Sequence, residues 1–425
     1  MHLLYVIPRY GPQFMSNETH GEIVRELQKL GLEVTVLSFT TRKGAGGKGG
    51  WGKGFGTERV YRLVQGENLF ERFLAPLSAS LLHYEYFPAM FRGYLQIAKG
   101  GKYDLIHVEG TFPLGAVAAL ASPFVQTPYL ITTTGGDLFR LPGQRYGYGQ
   151  YLLPRSLISL ALRRATWLRL NSRLIGRLAT KYGANPQRMT PLAVSIADTS
   201  FPPVELPLAT YRAKWRKTLA NQHHWDTSPL LVCVGRLISL KAPELLLEAL
   251  PQMLKKLGKV QVAFIGPSRA DPAKGDYLTF LQKRATELEV AKYCTFMGHI
   301  PLPQIKQYLA AADLLVVPSR LEGLNRVVIE AGAVGTPTVI SDGAGAAELV
   351  ARYSCGLIFP TGNAAALAHA LTRLLTSPNA LAQCGERSLA LARDYSAEAV
   401  AKGLQRIYTS ALNLPSSVLC WNQRL

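Results

Sequence analysis

The stretch "PSRLEGLNRVVIEAGAVGTPTVISD", Pro318 to Asp342, decides the fold. The apolar run "DLLVVP" leads into it and reads as a buried strand. A short loop with Glu322 and Gly323 follows, a helix starts near Asn325, and "PTVIS" is a strand again. Strand, helix and strand in this order make a βαβ unit of a parallel sheet. The loop and helix start also suit a ligand. The amides of Asn325, Arg326 and Val327 fall in the first helical turn, where they lack intrahelical acceptors and can receive a diphosphate. Gly323, followed by Leu324, lets the backbone come close. Glu330 lies eight residues after Glu322 on the same helix and can accept hydrogen bonds from two adjacent ribose hydroxyls. Glu322 stands nearer the group beyond the phosphates.

The same alternation runs outward in both directions. Upstream of residue 200 the strands are "LLYVIP", "VTVLSF", "RVYRLV", "LIHVEG", "YLITTT", "TWLRL" and "RMTPLA", with helices such as 18–30 and 172–182 between them. A Pro-rich, polar stretch, "FPPVELPLATYRAKWRKTLANQHHWDTSP", reads as a junction. Alternation restarts with "LLVCVGR", "VQVAFIG", "YCTFMG", "DLLVVP", "PTVIS" and "CGLIFP". The expected architecture is α/β: two tandem Rossmann-like, doubly wound domains, with ligand in a cleft between them. The expected boundaries are 1–200 for the first domain, 201–228 for the linker and 229–395 for the second. A C-terminal helix and tail, 396–425, is expected to pack back on the first domain.

The 425 residues are 48% hydrophobic and 18% charged, as in globular proteins. The most apolar runs are too broken to span a bilayer: "FLAPLSASLLHYEYFPAMF" contains Pro76, Glu85 and Pro88. "MHLLYVIPRYG" has no basic leader and runs straight into a strand, so no signal peptide is expected. The five cysteines are solitary and read as inert thiols of a reducing cytoplasm. The formal net charge of +19 favours an anionic partner. From Leu138 to Ala197 there is no acidic residue. Arg155, Arg163, Arg164, Arg173 and Arg177 in this tract are candidates for an anionic membrane surface, against the alternative of a solvated face. Nucleic acid is not expected, because aromatics do not interleave with the basic tract as stacking platforms.

"GAGGKGGWGKG", Gly44 to Gly54, mimics a phosphate loop, with Gly47, Gly52 and Lys53 at P-loop spacing. Gly54 stands where a hydroxyl should reach a metal, and the chain returns to a strand rather than opening a helix. A flexible basic loop is the expected reading.

Glu322 and Glu330 resemble the E-x7-E motif of retaining GT-B glycosyltransferases, particularly family 4. "CVGRLISLKAPELLLEAL" is similar to that family's G-R-L-x-x-x-K-G segment. "FMGHIPLPQIKQYLAAADLLVVPSRLEG" is similar to its base- and sugar-binding stretch, and "TGGDLF" to its H-G-x-D motif. The resemblance covers nearly the whole chain. It implies that Arg236 and Lys241 stabilise charge on a leaving nucleoside diphosphate, which suits two cations at a strand terminus. It implies base reading by the backbone of Gly298, His299 and Ile300, although His299 also reads as a loop residue without a task. Asp137, after Gly135 and Gly136, either orients an acceptor hydroxyl or caps a turn. Thr134 replaces the family's histidine. Ser16 and Asn17 replace a glycine pair on the acceptor side, and Ala242 replaces the Gly after the lysine. The implied reaction is retaining, front-face transfer of a hexose or N-acetylhexosamine to a lipid-linked or polysaccharide acceptor. No metal or cofactor is expected, and the protein is expected in the cytoplasm or on the inner face of the cell membrane. Two alternatives stay open: a non-hydrolysing sugar-nucleotide epimerase of the same fold, and a degenerate nucleotide-sugar-binding partner protein.

Overall fold

A computed structural model of the chain describes residues 1–11, 18–41, 50–65, 68–141, 143, 146–271 and 273–414. It divides into two compact units. Unit 1 holds Met1–Ser195 and the last helix, Ala397–Leu412; unit 2 is Ile196–Ser396.

Unit 1 is built on eight strands: β1 (His2–Ile7), β2 (Glu33–Thr41), β3 (Gly50–Lys53), β4 (Arg59–Gln65), β5 (Leu105–Glu109), β6 (Tyr129–Thr133), β7 (Trp167–Leu170) and β8 (Met189–Pro191). Their order is β3-β4-β2-β1-β5-β6-β7-β8, and every neighbouring pair is parallel except β3 with β4. β1, β5 and β6 bury nearly every side chain, as strands covered by helices on both faces must. Successive strands are added on one side of β1 and then on the other, so the sheet has its switch point between β1 and β5.

Unit 2 has a parallel sheet of β9 (Leu230–Val234), β10 (Gln261–Ile265), β13 (Cys294–Gly298), β14 (Leu314–Val317), β15 (Thr338–Ser341) and β16 (Gly356–Phe359), in the order β13-β10-β9-β14-β15-β16. A two-stranded ribbon, β11 (Ala270–Asp271) and β12 (Gly275–Asp276), lies apart. The core sits between this sheet and the helix Glu244–Leu257, where Leu231, Leu246, Met253, Val262, Phe264 and Leu371 are sealed. The switch point here lies between β9 and β14.

Three expectations change. Residues 201–228 are not a free junction, since Leu208–His223 is a helix of unit 2. Arg212 donates from Nη1 to Val334 O at 2.8 Å and from Nη2 to Ala312 O at 2.7 Å. Arg216 reaches Asp313 Oδ2 at 3.0 Å. Guanidinium forks anchor this helix beside a few apolar contacts, Leu219 and Trp215 among them, so its pattern looks polar. The glycine stretch is the second change. Residues 42–49 lie outside the described residues, but Gly50–Lys53 is the antiparallel edge strand β3, with Trp51 opposite Tyr61. Beyond it the amides of Phe55 and Gly56 donate to the Glu58 carboxylate at 2.6 and 2.9 Å. The turn therefore closes on an anion of its own. Third, the second unit begins at Ile196, well before residue 229. The last helix lies in unit 1, where the Tyr408 hydroxyl meets His107 Nδ1 at 2.7 Å.

Candidate active site

Open parallel sheets bind ligands outside the carboxyl ends of their strands at the switch point. In unit 2 that places the loops after β9 and β14 side by side. One backbone bond stitches them, Arg320 N to Leu240 O at 2.9 Å, and two more tie the β9 loop to the end of β10: Gly235 N to Ile265 O at 2.8 Å and Leu237 N to Pro267 O at 2.9 Å. The approach is close enough to require glycine. A Cβ on Gly266, whose φ is +144°, would stand 2.0 Å from the Gly235 carbonyl oxygen.

This packing brings Lys241 and Glu322 together. Lys241 Nζ pairs with Glu322 Oε2, and the same oxygen accepts from Asn325 Nδ2 at 2.5 Å and Ser319 Oγ at 3.3 Å. Lys241 and Glu322 keep 19% and 21% of their side chains exposed, so the pair is fixed from below and open to a ligand. Glu322 Oε1 has no protein partner among the described residues. Arg236 is half-buried in the same β9 loop and, among the described residues, has no acidic partner.

Past Glu322 and Gly323 the helix is Arg326–Ala333, with Asn325 at its cap position. Asn325 makes no side-chain cap bond, and its buried Oδ1 has no partner. Leu324 separates Gly323 from this cap. No described carbonyl takes the amides of Asn325, Arg326 and Val327, whereas Val328 N donates to Asn325 O at 3.0 Å. Arg326 Nε donates to Glu330 Oε1 at 2.8 Å, one helical turn away. Arg326 thus holds the carboxylate assigned to ribose. At the end of β13, Gly298 has a φ of +64° and its carbonyl accepts from Gly266 N at 2.8 Å. His299 is exposed, while the Ile300 side chain is packed in a core cluster with Ile265 and Tyr308. Only the backbone of Ile300 is left to meet a base.

The acceptor-side candidates belong to unit 1. Ser16 and Asn17 lie outside the described residues. Thr134 is exposed after β6, Gly135 has a φ of +101°, and Gly136 lies under the Tyr146 hydroxyl. Asp137 is buried. Its Oδ2 accepts from Thr111 N at 2.7 Å and Phe112 N at 2.9 Å, so it caps the turn after β5 rather than its own. Oδ1 is buried without a partner, and burial raises the carboxyl's pKa above its ordinary value.

Sequence reasoning missed a buried network beside Asp137. The Tyr5 hydroxyl donates to Glu109 Oε1 at 2.7 Å, Arg169 Nη1 lies 3.8 Å from that oxygen, and His107 Nε2 meets Thr132 Oγ1 at 2.6 Å. Burial lowers the His107 pKa to about 3. Burial alone would raise Glu109, but the flanking histidines, Arg169 and the Tyr5 hydroxyl together hold it below its ordinary value. The signal was present in "IHVEG", where His107 and Glu109 alternate onto one face of a strand end. A second missed cluster joins Glu244 to Arg320 Nη2 at 3.1 Å and the Tyr277 hydroxyl at 2.7 Å, three residues past Lys241. Of the basic tract, Arg163, Arg173 and Arg177 are exposed. Arg155 and Arg164 are half-buried, Arg164 donating to Ala119 O at 3.2 Å, and Arg169 is inside. Cys233, Cys355 and Cys384 are buried free thiols; burial pushes Cys233 up to about 12, and no shift makes it reactive.

Residues 216–390 match the Glycosyl transferases group 1 family, and residues 17–194 match the Glycosyl transferase 4-like domain. The chain is 28% identical over 335 residues to a D-inositol 3-phosphate glycosyltransferase of Frankia alni, covering 75% of this chain and 76% of that one. It is 27% identical to a putative teichuronic acid biosynthesis glycosyltransferase, TuaC, of Bacillus subtilis, covering 88% and 89%. Two solved structures share the fold. Sucrose-phosphate synthase of Thermosynechococcus elongatus aligns with a TM-score of 0.73 at 20% identity, covering 96% of this chain and 98% of that one. Anabaena HepE in complex with UDP aligns with a TM-score of 0.70 at 17% identity, covering 96% and 100%. With both domains matched in order and the E-x7-E carboxylates at the switch point, the chain belongs to family 4 of the GT-B glycosyltransferases, enzymes that take sugar from nucleotide-sugar donors.

Proposed function

We propose that this enzyme transfers a hexose or N-acetylhexosamine from a nucleoside-diphosphate sugar to a hydroxyl of a lipid-linked or polysaccharide acceptor, with retention and without a metal. The observation that carries the reading is the convergence of Lys241, Glu322 and the open helix start at Asn325 on the unit 2 switch point. In this reading the diphosphate lies over the amides of Asn325, Arg326 and Val327, flanked by Arg236 and Lys241. As the bond from the anomeric carbon to the β-phosphate oxygen breaks, negative charge grows on the phosphate. Two cations and oriented amides stabilise it, supplying the countercharge that a metal supplies elsewhere. The acceptor oxygen bonds to the anomeric carbon on the face the phosphate leaves, and its proton passes to that phosphate oxygen. Glu322 Oε1 accepts from a hydroxyl of the donor sugar, and Glu330 accepts from the ribose. The teichuronic acid relative supports a saccharide acceptor, and an anionic inner membrane face suits the net charge of +19.

Thermal-shift measurement with UDP-, GDP- and ADP-sugars tests the donor, since a ligand at a hundred times its Kd stabilises by about 2.7 kcal/mol. One base series should raise the melting temperature, and transfer should then persist in EDTA with the anomeric configuration kept by NMR coupling. No shift with any donor overturns the reading. Product formed from donor alone assigns the epimerase instead.

A further inference from the structure

The helix Leu69–Leu82 in unit 1 is inside out. Its two fully buried side chains are Glu71 and Ser78. Glu71 is paired with Arg92 Nε at 2.5 Å, and Ser78 Oγ donates to Tyr84 O at 2.7 Å. Its large apolar residues point to solvent: Leu69, Phe70, Phe73, Leu77 and Leu81 are 51 to 80% exposed. At about 100° per residue these five fall in one arc of about 120°, opposite Glu71 and Ser78. A surface helix ordinarily turns the other way, so this face spends water contact on the residues least suited to it.

The patch continues beyond the helix. His83, the residue after it, stacks on Tyr151 with ring centroids 3.6 Å apart. Tyr151 caps the helix Leu152–Arg164, whose first two residues, Leu152 and Leu153, are also exposed. That second helix lies within the acid-free tract, and Arg155 follows one turn on. Along the first helix the only acid is Glu71, which is buried and neutralised. The patch is therefore apolar at its centre, basic on its flank and without an exposed carboxylate on either helix.

We propose that this surface docks the protein on an anionic lipid bilayer, with the Leu69–Leu82 face lying in the plane of the interface. Leu and Phe on one arc beside arginines match an interfacial helix. Phe and Arg also occur in protein interfaces, so what favours a bilayer over a protein is the arc of Leu and Phe beside arginines with no exposed carboxylate on either helix. The inference moves the membrane contact from the arginine tract to a helix that inserts, with the tract in support. It extends the proposed lipid-linked acceptor, but its test is read by vesicle binding, independently of transfer.

The test is flotation of the full-length protein with phosphatidylcholine vesicles, with and without about one third phosphatidylglycerol. Wild type should float with the anionic vesicles. Replacing Phe70, Phe73 and Leu77 together by Ser should cut the partition coefficient roughly tenfold or more, with the circular-dichroism melt unchanged because all three are exposed. A Phe73→Trp variant should shift its emission to the blue on anionic vesicles and be quenched by brominated lipid. Undiminished flotation of the triple variant, or a Trp that stays in water, overturns the proposal. A wild-type dimer in sedimentation that the triple variant abolishes, without vesicle binding, also overturns it by assigning the patch to a second copy. Loss of flotation leaves nucleotide-sugar binding standing, and a failed donor screen leaves flotation standing.

Discussion

Both units place a carboxylate and a cation near the strand ends of their switch points, and they treat them in opposite ways. In unit 2, Lys241 and Glu322 are held from one side and open on the other, Arg236 has no acidic partner among the described residues, and the amides at Asn325 are unspent. In unit 1, Glu109 and Arg169 are sealed, and Arg169 gives its other donors to Leu192 O and Ala193 O at 3.0 and 2.9 Å. In the reading proposed here the difference separates a site from a brace. Charges kept for a ligand are left short of partners, whereas charges that hold a fold are saturated, because an unpaired buried charge costs several kcal/mol.

The largest effect is expected where a charge is unspent. Arg236→Ala should lower kcat by two to three orders of magnitude, about 3–4 kcal/mol, since its contact strengthens as the diphosphate leaves. Steady-state transfer measures it, and full activity would break the comparison. Arg169→Met should act on stability instead, costing about 3 kcal/mol in urea unfolding by stranding Glu109 and two carbonyls. Donor affinity of the folded fraction should stay unchanged.

The brace also predicts a pH dependence. The pKa of His107 in the fold, about 3, lies below its ordinary 6.5, so the unfolded chain binds the proton better. Its contribution is whole above about pH 6.5 and is lost as pH falls toward 3. Glu109, also held low, adds to that loss below its ordinary 4.5. The melting temperature should fall from pH 7 to pH 4, and less steeply in His107→Gln. Equal slopes would remove His107 from the account.

Smaller effects sharpen the division within unit 2. Glu330→Ala should raise the donor KM about tenfold with little change in kcat, because the ribose is bound alike in ground and transition states. The smallest effect belongs to the glycine stretch. Deleting residues 44–49 should leave donor affinity within about threefold, below roughly 1 kcal/mol. Calorimetric titration with the nucleotide decides, and lost binding would move the phosphate site to that stretch.

Local patterns in the chain already determined the strand alternation, the parallel strands of both sheets and the loop-to-helix step that carries Glu322 and Glu330. A strand or a helix start depends on residues a few positions away, and those are legible in order. Only the tertiary structure decided which charge meets which. Lys241 and Glu322 are 81 residues apart and meet because β9 and β14 are neighbours in a parallel sheet. Asp137 looked like a free carboxylate until the turn after β5 brought the Thr111 and Phe112 amides to it. The helix Leu208–His223 was hidden because its anchors are arginines seeking carbonyls from β14 and β15 loops, partners no periodicity reveals. The outward face of Leu69–Leu82 was equally hidden. An apolar stripe reads the same whether it turns to a core or to solvent, and the packing of Glu71 against Arg92 settles that it turns outward.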